Sequence, residues 1–238
     1  MIIAAILGLC LGSFANVVIY RLQKGESVVS PPSHCMDCNT RLLRRDMVPV
    51  FSWMILRGKC RYCNIKISPR YPITEGICAI LFVLIARQGA DFSVLPLWCL
   101  AFVLLCVAWI DWDTMTIPDS LLIIAAIAGV CWVAFFPHTL SWSDAMIGAI
   151  AGALPLFVID RIVLLVAKKP GFGFGDVKLM AAAGLFLGWQ GIVFAYFAAF
   201  IAGGVFAVYL LLVKKAERGS YLPFGPFLCF GIMFGLLV

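Results

Sequence analysis

The chain has 238 residues, of which 63% are apolar and only 13% charged, with a formal net charge of +6. A soluble domain carries about 45–50% apolar residues even with glycine counted, so an ordinary soluble fold is excluded. The charges are confined to a few blocks between apolar runs of about 15 to 24 residues, each near the ~20 that cross a bilayer.

Apolar runs broken by charges and turn residues place helices at Ile2 to Tyr20, Ile73 to Ala86, Leu95 to Ile110, Ser120 to Phe136, Ala145 to Ala167, Asp176 to Trp189, Ile192 to Val213 and Leu222 to Val238. The reading is an all-α polytopic membrane protein with about eight transmembrane helices. The sixth and seventh runs merge in an alternative count. About 50 residues between the first two spans form one extramembrane module; no large soluble catalytic domain fits elsewhere, so any chemistry belongs to the membrane bundle or to that module. The domains read as a first helix over 1–22, a module over 23–72 and a membrane core over 73–238. The first run does not read as a cleavable signal peptide, because Arg21 and Lys24 follow the apolar stretch instead of preceding it.

Lysine and arginine set the sidedness. Ten of the 18 basic residues lie between Arg21 and Arg70, three between Lys168 and Lys178, and three between Lys214 and Arg218. With the amino terminus outside, all of these are cytosolic, and Arg87 alone lies on the other face. The positive charge is thus an orientation signal in the lipid bilayer. Its even scatter, without a basic surface interleaved with aromatics, argues against nucleic acid as a partner.

Inside the cytosolic segment stand Cys35-Met-Asp-Cys38 and Cys60-Arg-Tyr-Cys63, two CxxC pairs with 21 residues between them. Each pair can present two thiolates to one ion, and a polar segment of this size usually needs a metal to hold a fold. The expected site is structural tetracysteine zinc. The competing reading is a membrane thiol-disulfide oxidoreductase, which would need the pairs on the oxidising side of the membrane. His34 is an alternative ligand, but four thiolates already fill a tetrahedral shell. The other six cysteines read as small buried hydrophobes.

Only 12 acidic residues exist, so their positions carry information. Asp111, Asp113 and Asp119 fall where the third span meets the cytosol, and Asp176 closes Gly171-Phe-Gly-Phe-Gly-Asp176 at the cytosolic start of the sixth. Two carboxylates at one depth of one membrane face define a site hypothesis. The chemistry that uses such a pair is aspartic proteolysis, in which one carboxylate takes a proton from water while the other donates a hydrogen bond to the scissile carbonyl. Glycines before Asp176 let the backbone approach an extended peptide. Asp119 reads as a helix N-cap, Asp113 as a solvated loop charge off the face of Asp111, and Asp160-Arg161 as a neutralised pair within the fifth span.

The order Gly12-Ser-Phe-Ala-Asn16-Val-Val-Ile-Tyr-Arg21, the two CxxC pairs around Pro49-Val-Phe-Ser-Trp53, Ile67-Ser-Pro-Arg-Tyr-Pro-Ile-Thr-Glu75, Ile110-Asp111 with Ile117-Pro-Asp119, and Gly173-Phe-Gly175-Asp176-Val-Lys178 resembles the type IV prepilin peptidases over nearly the whole chain. The resemblance implies a GxGD aspartic endopeptidase of the bacterial inner membrane. Such an enzyme removes the short basic leader of prepilins or type II secretion pseudopilins, cutting after glycine and usually before phenylalanine. Asp111 matches the family's first aspartate, six residues before Pro118, and Asp176 the aspartate of GxGD; these are the catalytic expectations. Lys178 matches a basic residue that could tune the pair, with cytosolic anchoring as its bland role.

The family also implies methylation of the new amino terminus with S-adenosylmethionine as donor, an activity usually linked to the zinc module. No Rossmann-type GxGxG loop is present to carry it. Asn16 and Glu75 are the polar groups suspected of positioning the substrate terminus or the donor. Their competing readings are close helix packing and helix-dipole stabilisation. Two departures from the family pattern are Pro32, where arginine commonly precedes the serine, and Met36, where proline often follows the first cysteine; a contact made by that arginine would be missing here.

Overall fold

The computed structural model describes residues 1–89, 91–136, 139–168, 173–213 and 222–237. They form α1 (Ile2–Lys24), α2 (Phe51–Ile55), α3 (Arg70–Ala86), α4 (Val94–Thr114), α5 (Asp119–Phe135), α6 (Trp142–Ala167), α7 (Phe174–Leu212) and α8 (Gly225–Leu237). Two compact units result, 1–94 and 95–238. No strand occurs among the described residues; the only extended pairings there are the isolated bridges His34 to Arg41 and Lys59 to Lys66.

Local chemistry sets the helix ends. In α1 the chain stops at Gly25, which takes a left-handed conformation (φ 68°) and donates its N–H to the Arg21 and Leu22 carbonyls, while Arg21 and Lys24 complement the negative end of the helix dipole. In α6 the Ser141 hydroxyl oxygen accepts the Asp144 N–H at 3.1 Å, a standard N-cap.

α1, α4, α6 and α7 are long and apolar enough to cross a membrane. Their outward faces carry exposed Ile3, Ile6, Leu165, Phe197 and Val205, as lipid-facing helices require. α3 and α5 have 17 residues each and α8 has 13. The predicted spans are found with ends moved by a few residues, apart from the sixth and seventh. Those two are the halves of α7, whose 39 residues would extend about 58 Å if straight. Gly188 divides them with φ 63° and ψ −175°, a conformation essentially closed to residues with a Cβ. Counting α7 twice gives eight apolar helical segments. The Lys214–Arg218 block, Lys169, Gly171 and Phe172 lie outside the described residues.

In the first unit α1 packs against α3 through its Gly8 and Gly12, the close helix packing that is the competing reading for Asn16 on the same face. A Cβ on Gly12 would lie 2.7 Å from the Glu75 Cα, and one on Gly8 2.6 Å from the Ala79 Cα. Because these neighbours are backbone atoms, Gly12→Val must push the helices apart, and it is expected to destabilise the fold by about 1–3 kcal/mol. Gly76→Ala, on α3 where a Cβ meets no described atom within 4 Å, is expected to be neutral or slightly stabilising. Thermal unfolding of the two variants in detergent checks the contrast.

In the second unit α7 is central, with α5, α6 and α8 packed on it. α6 and α7 approach so closely at Gly148 and Gly184 that a Cβ on either would lie 2.5 Å or less from the other's carbonyl oxygen.

Candidate functional site

Each aspartate continues a buried stripe. On α4 the buried positions Leu100, Val103, Leu104, Val107 and Ile110 follow helical spacing, and Asp111, 6% exposed, comes four residues after Val107. On α7 Asp176, 7% exposed, heads a stripe with Met180 and Ala183. Asp113, two residues from Asp111, is exposed. It sits on the last turn of α4 and not in a loop, because α4 runs on to Thr114.

The two buried carboxylates lie within electrostatic reach of one another, and both are within reach of Cys229 on α8. Asp111 Oδ2 accepts the Gly225 N–H at 2.9 Å. Gly225 is the first residue of α8, so the positive end of that helix faces the carboxylate. Asp176 Oδ2 accepts the Gly173 N–H at 3.2 Å, closing the first turn of α7. Its Oδ1 is buried and finds no hydrogen-bond partner among the described residues, which is costly unless the atom has a task. One oxygen of each aspartate is therefore fixed by a backbone amide.

The supporting residues sort differently from expectation. Gly175 lets the start of α7 pack on Ile117, whose Cβ would lie 2.9 Å from an added Cβ. Lys178 donates to Asp119 Oδ1 at 2.8 Å, tying α7 to α5; this pair is solvated and is worth at most about 1 kcal/mol. Asp119 is the first residue of α5 after Pro118 and makes no cap, so its carboxylate serves Lys178 and not the helix amides. Arg161 and Asp160 are 3.5 Å apart, the local pairing anticipated. Gly225 was not singled out from the sequence, though Leu222-Pro-Phe-Gly-Pro226, a turn-forming group opening a span, marks the place.

In the first unit the four thiols of Cys35, Cys38, Cys60 and Cys63 converge, all within 4.8 Å of one another, with Cys35 and Cys63 at 3.8 Å. The two knuckles have the same construction. Asn39 and Asn64, each directly after the second cysteine, take φ 53° and 60° and donate their N–H to the Cys35 and Cys60 carbonyls at 3.0 Å. The Cys35 and Cys60 amides in turn donate to Thr40 and Ile65. Asparagine tolerates the left-handed region, so each CxxC followed by Asn is a more specific signal than CxxC alone. The Thr40 hydroxyl and amide pull the Cys38 thiol down to about 6. The Ile65 amide lowers Cys63, but burial and the neighbouring thiols outweigh it and hold that thiol at about 12. Four thiols so close cannot all ionise without a cation among them. Zn–S bonds of ~2.3 Å imply tetrahedral S···S edges of about 3.8 Å, so the donor set fits zinc.

Asp46 braces the module. It accepts the Arg61 Nε–H at 2.6 Å and the Tyr62 hydroxyl at 2.9 Å; burial alone would raise its carboxyl, but these bonds and the Leu43 amide outweigh it and hold it low. Asn16 donates to the Gly12 carbonyl at 3.3 Å and to the Tyr71 carbonyl at 3.2 Å, and Glu75 accepts the Val50 N–H at 2.6 Å. Both line a cavity of about 480 Å³ bounded by α1, α3 and the module. The predicted residues thus gather at two places, the aspartates with Gly173 in the second unit and the cysteines with Asn16 and Glu75 in the first.

A helical polytopic membrane protein with a converging tetracysteine cluster and a buried aspartate pair is a narrow class. The bacterial peptidase A24 N-terminal domain matches residues 6–88, and the type IV leader peptidase family matches residues 98–208. Proteins named prepilin leader peptidase/N-methyltransferase are 34% identical in Pseudomonas putida, with 95% of this chain and 86% of that protein covered, and 34% in Aeromonas hydrophila, with 96% and 87% covered. The Neisseria gonorrhoeae protein of the same name is 33% identical over 94% of this chain and 85% of its own length. The chain belongs to the type IV leader peptidase family. No solved structure matches it.

Proposed function

We propose that this protein removes the basic leader of prepilins or type II secretion pseudopilins, cleaving after glycine with Asp111 and Asp176 as the catalytic pair, and then methylates the new amino terminus. The observation that carries the reading is the pair of buried aspartates, each with one oxygen held by a backbone amide. With Oδ2 of each fixed, the remaining oxygens are the groups that can share a water. One carboxylate takes the proton of the attacking water, the other donates to the scissile carbonyl, and collapse of the tetrahedral intermediate returns a proton to the leaving amine. The membrane core over 73–238 carries this chemistry.

The substrate class agrees with the topology. A pilin-type precursor has an apolar amino-terminal helix in the bacterial inner membrane and a basic leader in the cytosol, so its scissile bond lies at the inner interface. The basic-residue distribution supports a periplasmic amino terminus and a cytosolic face for the module over 23–72 and both aspartates. Zinc held by Cys35, Cys38, Cys60 and Cys63 would fix the module's fold; when bound it supplies structural cross-linking. S-adenosylmethionine is the methyl donor that the second activity requires. The thiol oxidoreductase reading is not favoured, since all four sulfurs converge on one point as a ligand set does.

Gly225 is a positioning residue for Asp111. A Cβ there would sit 2.6 Å from Asp111 Oδ2 and 2.8 Å from its Cγ, so Gly225→Ala must displace the carboxyl. Misplacement by about 1 Å costs on the order of 10²-fold in rate. Steady-state cleavage of a detergent-solubilised prepilin should show that loss in kcat with KM little changed. A cleavage rate within twofold of wild type would remove Gly225 from the mechanism.

A further inference from the structure

A chain of aromatic rings runs away from the aspartates within the second unit. It starts at Trp112, the residue after Asp111, whose ring centroid lies 5.7 Å from that of Phe206 on α7. Phe206 is 5.5 Å from Phe227, Phe227 is 6.3 Å from Phe224, and Phe224 is 5.3 Å from Phe200. Phe224 immediately precedes Gly225, whose N–H holds Asp111 Oδ2. The rings therefore adjoin that carboxylate from two elements, through Trp112 on α4 and Phe224 at the head of α8.

Gly203 makes the close approach possible. A Cβ there would lie 3.2 Å from the Phe224 ring and 3.4 Å from the Phe227 ring, so the bare Cα lets both rings lie on α7. α8 runs antiparallel to this part of α7, since Gly231 meets Ala195 and Gly235 meets Gly191. From Phe227 the stripe continues down α8 through Phe230 and Phe234, whose centroids are 6.5 Å apart, at the three- and four-residue spacing that keeps to one side of a helix. Phe200, Phe230 and Phe234 are 44%, 55% and 44% exposed, so the face is open.

From Phe224 to Phe234 the stripe extends about 15 Å, half of the ~30 Å hydrocarbon core. An interfacial belt gathers Trp and Tyr at one depth; this stripe is mainly Phe and follows the helix axis from the aspartates into the apolar span. Such a face suits an apolar helix lying lengthwise, because aromatic rings contribute large contact areas and dominate interface energetics. We propose that it docks the apolar helix of the substrate, which enters sideways from the bilayer and leaves the cleaved bond over Phe224, continuing along Phe227, Phe230 and Phe234. The proposal rests on the peptidase reading above. Continuity names the occupant: the stripe begins at the residues flanking Asp111 and its amide, and a precursor cut at the inner interface has its apolar helix on the membrane side of the bond, where the stripe leads.

The test is the steady-state cleavage of a full-length prepilin in detergent micelles by full-length Phe230→Ala and Phe200→Ala, with Phe194→Ala as control. Phe194 is 57% exposed on α7 but lies about 120° around the helix from Phe200. Each of the first two variants should raise KM roughly fivefold, as expected for one aromatic contact, with kcat unchanged, and the control should stay within twofold of wild type in both. A fall in kcat at constant KM, an unchanged KM in either variant, or an equal rise in the control overturns the proposal. Should a variant fail to fold, photo-cross-linking decides, with benzoylphenylalanine replacing Phe230 or Phe194 in Asp176→Asn so that the precursor stays uncut. Label on the precursor from position 230 and not from 194 supports the docking face; label from both, from neither, or on a second copy of the enzyme overturns it. If wild type leaves the precursor uncut, the peptidase reading falls and this one with it, whereas cleavage without the contrast between positions overturns this one alone.

Discussion

Asp111→Asn and Asp176→Asn should each abolish leader removal, by on the order of 10³-fold or more, with the protein still folded. Both carboxylates are buried and each accepts a backbone amide through Oδ2. Asparagine keeps the shape and an acceptor for that amide, so the substitution removes charge and proton transfer while leaving the packing of α4, α7 and α8 in place. General acid–base groups contribute about 10²–10⁴-fold each. Because the pair acts as a unit, the double variant should be little worse than either single one. Mass spectrometry of a co-expressed pilin-type substrate reads the outcome directly. Wild type should yield a product lacking its leader and carrying one added methyl; each variant should leave the precursor intact. Normal processing by either variant would exclude the two-aspartate mechanism.

Serine at Cys60, the most buried of the four thiols, should release the metal and unfold the module. Measured metal content should fall from about one zinc per chain to near zero, because the binding free energy of a structural zinc site is largely the folding free energy of its domain. The module has little else to hold it: Asp46 with Arg61 and Tyr62, the Ser52 hydroxyl on the Arg45 carbonyl, the Trp53 indole on the Ile67 carbonyl, and Arg21 on the Ser27, Val28 and Pro31 carbonyls. Limited proteolysis should show new cuts between Glu26 and Ser68 in Cys60→Ser and after chelation of wild type. Full zinc content in the variant would exclude the tetrathiolate site. Scoring cleavage and methylation on the same protein separates a zinc requirement for proteolysis from one confined to the module.

Much of this protein was legible in the sequence because the signals are local or periodic. A bilayer-length apolar run with charges at its ends gives a span whatever its neighbours do, and basic residues accumulate on one side for a reason independent of packing. CxxC pairs bring thiols together through their own turns. Asp111 and Asp176 stood out because carboxylates are scarce in apolar sequence, and helical spacing separated Asp111 from the exposed Asp113 two residues later.

The remainder depends on contacts between distant segments, which no local pattern encodes. Lys178 and Asp119 are 59 positions apart and meet because α5 and α7 start side by side, which is why Asp119 serves an ion pair and not a cap. Gly225 lies 114 positions from Asp111, and its need for a bare Cα is visible only once α8 is placed against the carboxylate. The sequence marks a break between the sixth and seventh runs around Gly188-Trp-Gln-Gly191, but that both runs belong to one helix, α7, divided by a single glycine dihedral at Gly188, is decided by packing. Glu75 reaches the Val50 amide across 25 residues, and both line the cavity of the first unit. Composition and spacing determined which runs are long and apolar enough to span a membrane, which four cysteines converge and which two carboxylates are buried. Tertiary packing decided which backbone amides meet the buried carboxylates, since a buried charge takes its partners from whatever the fold brings within hydrogen-bond distance.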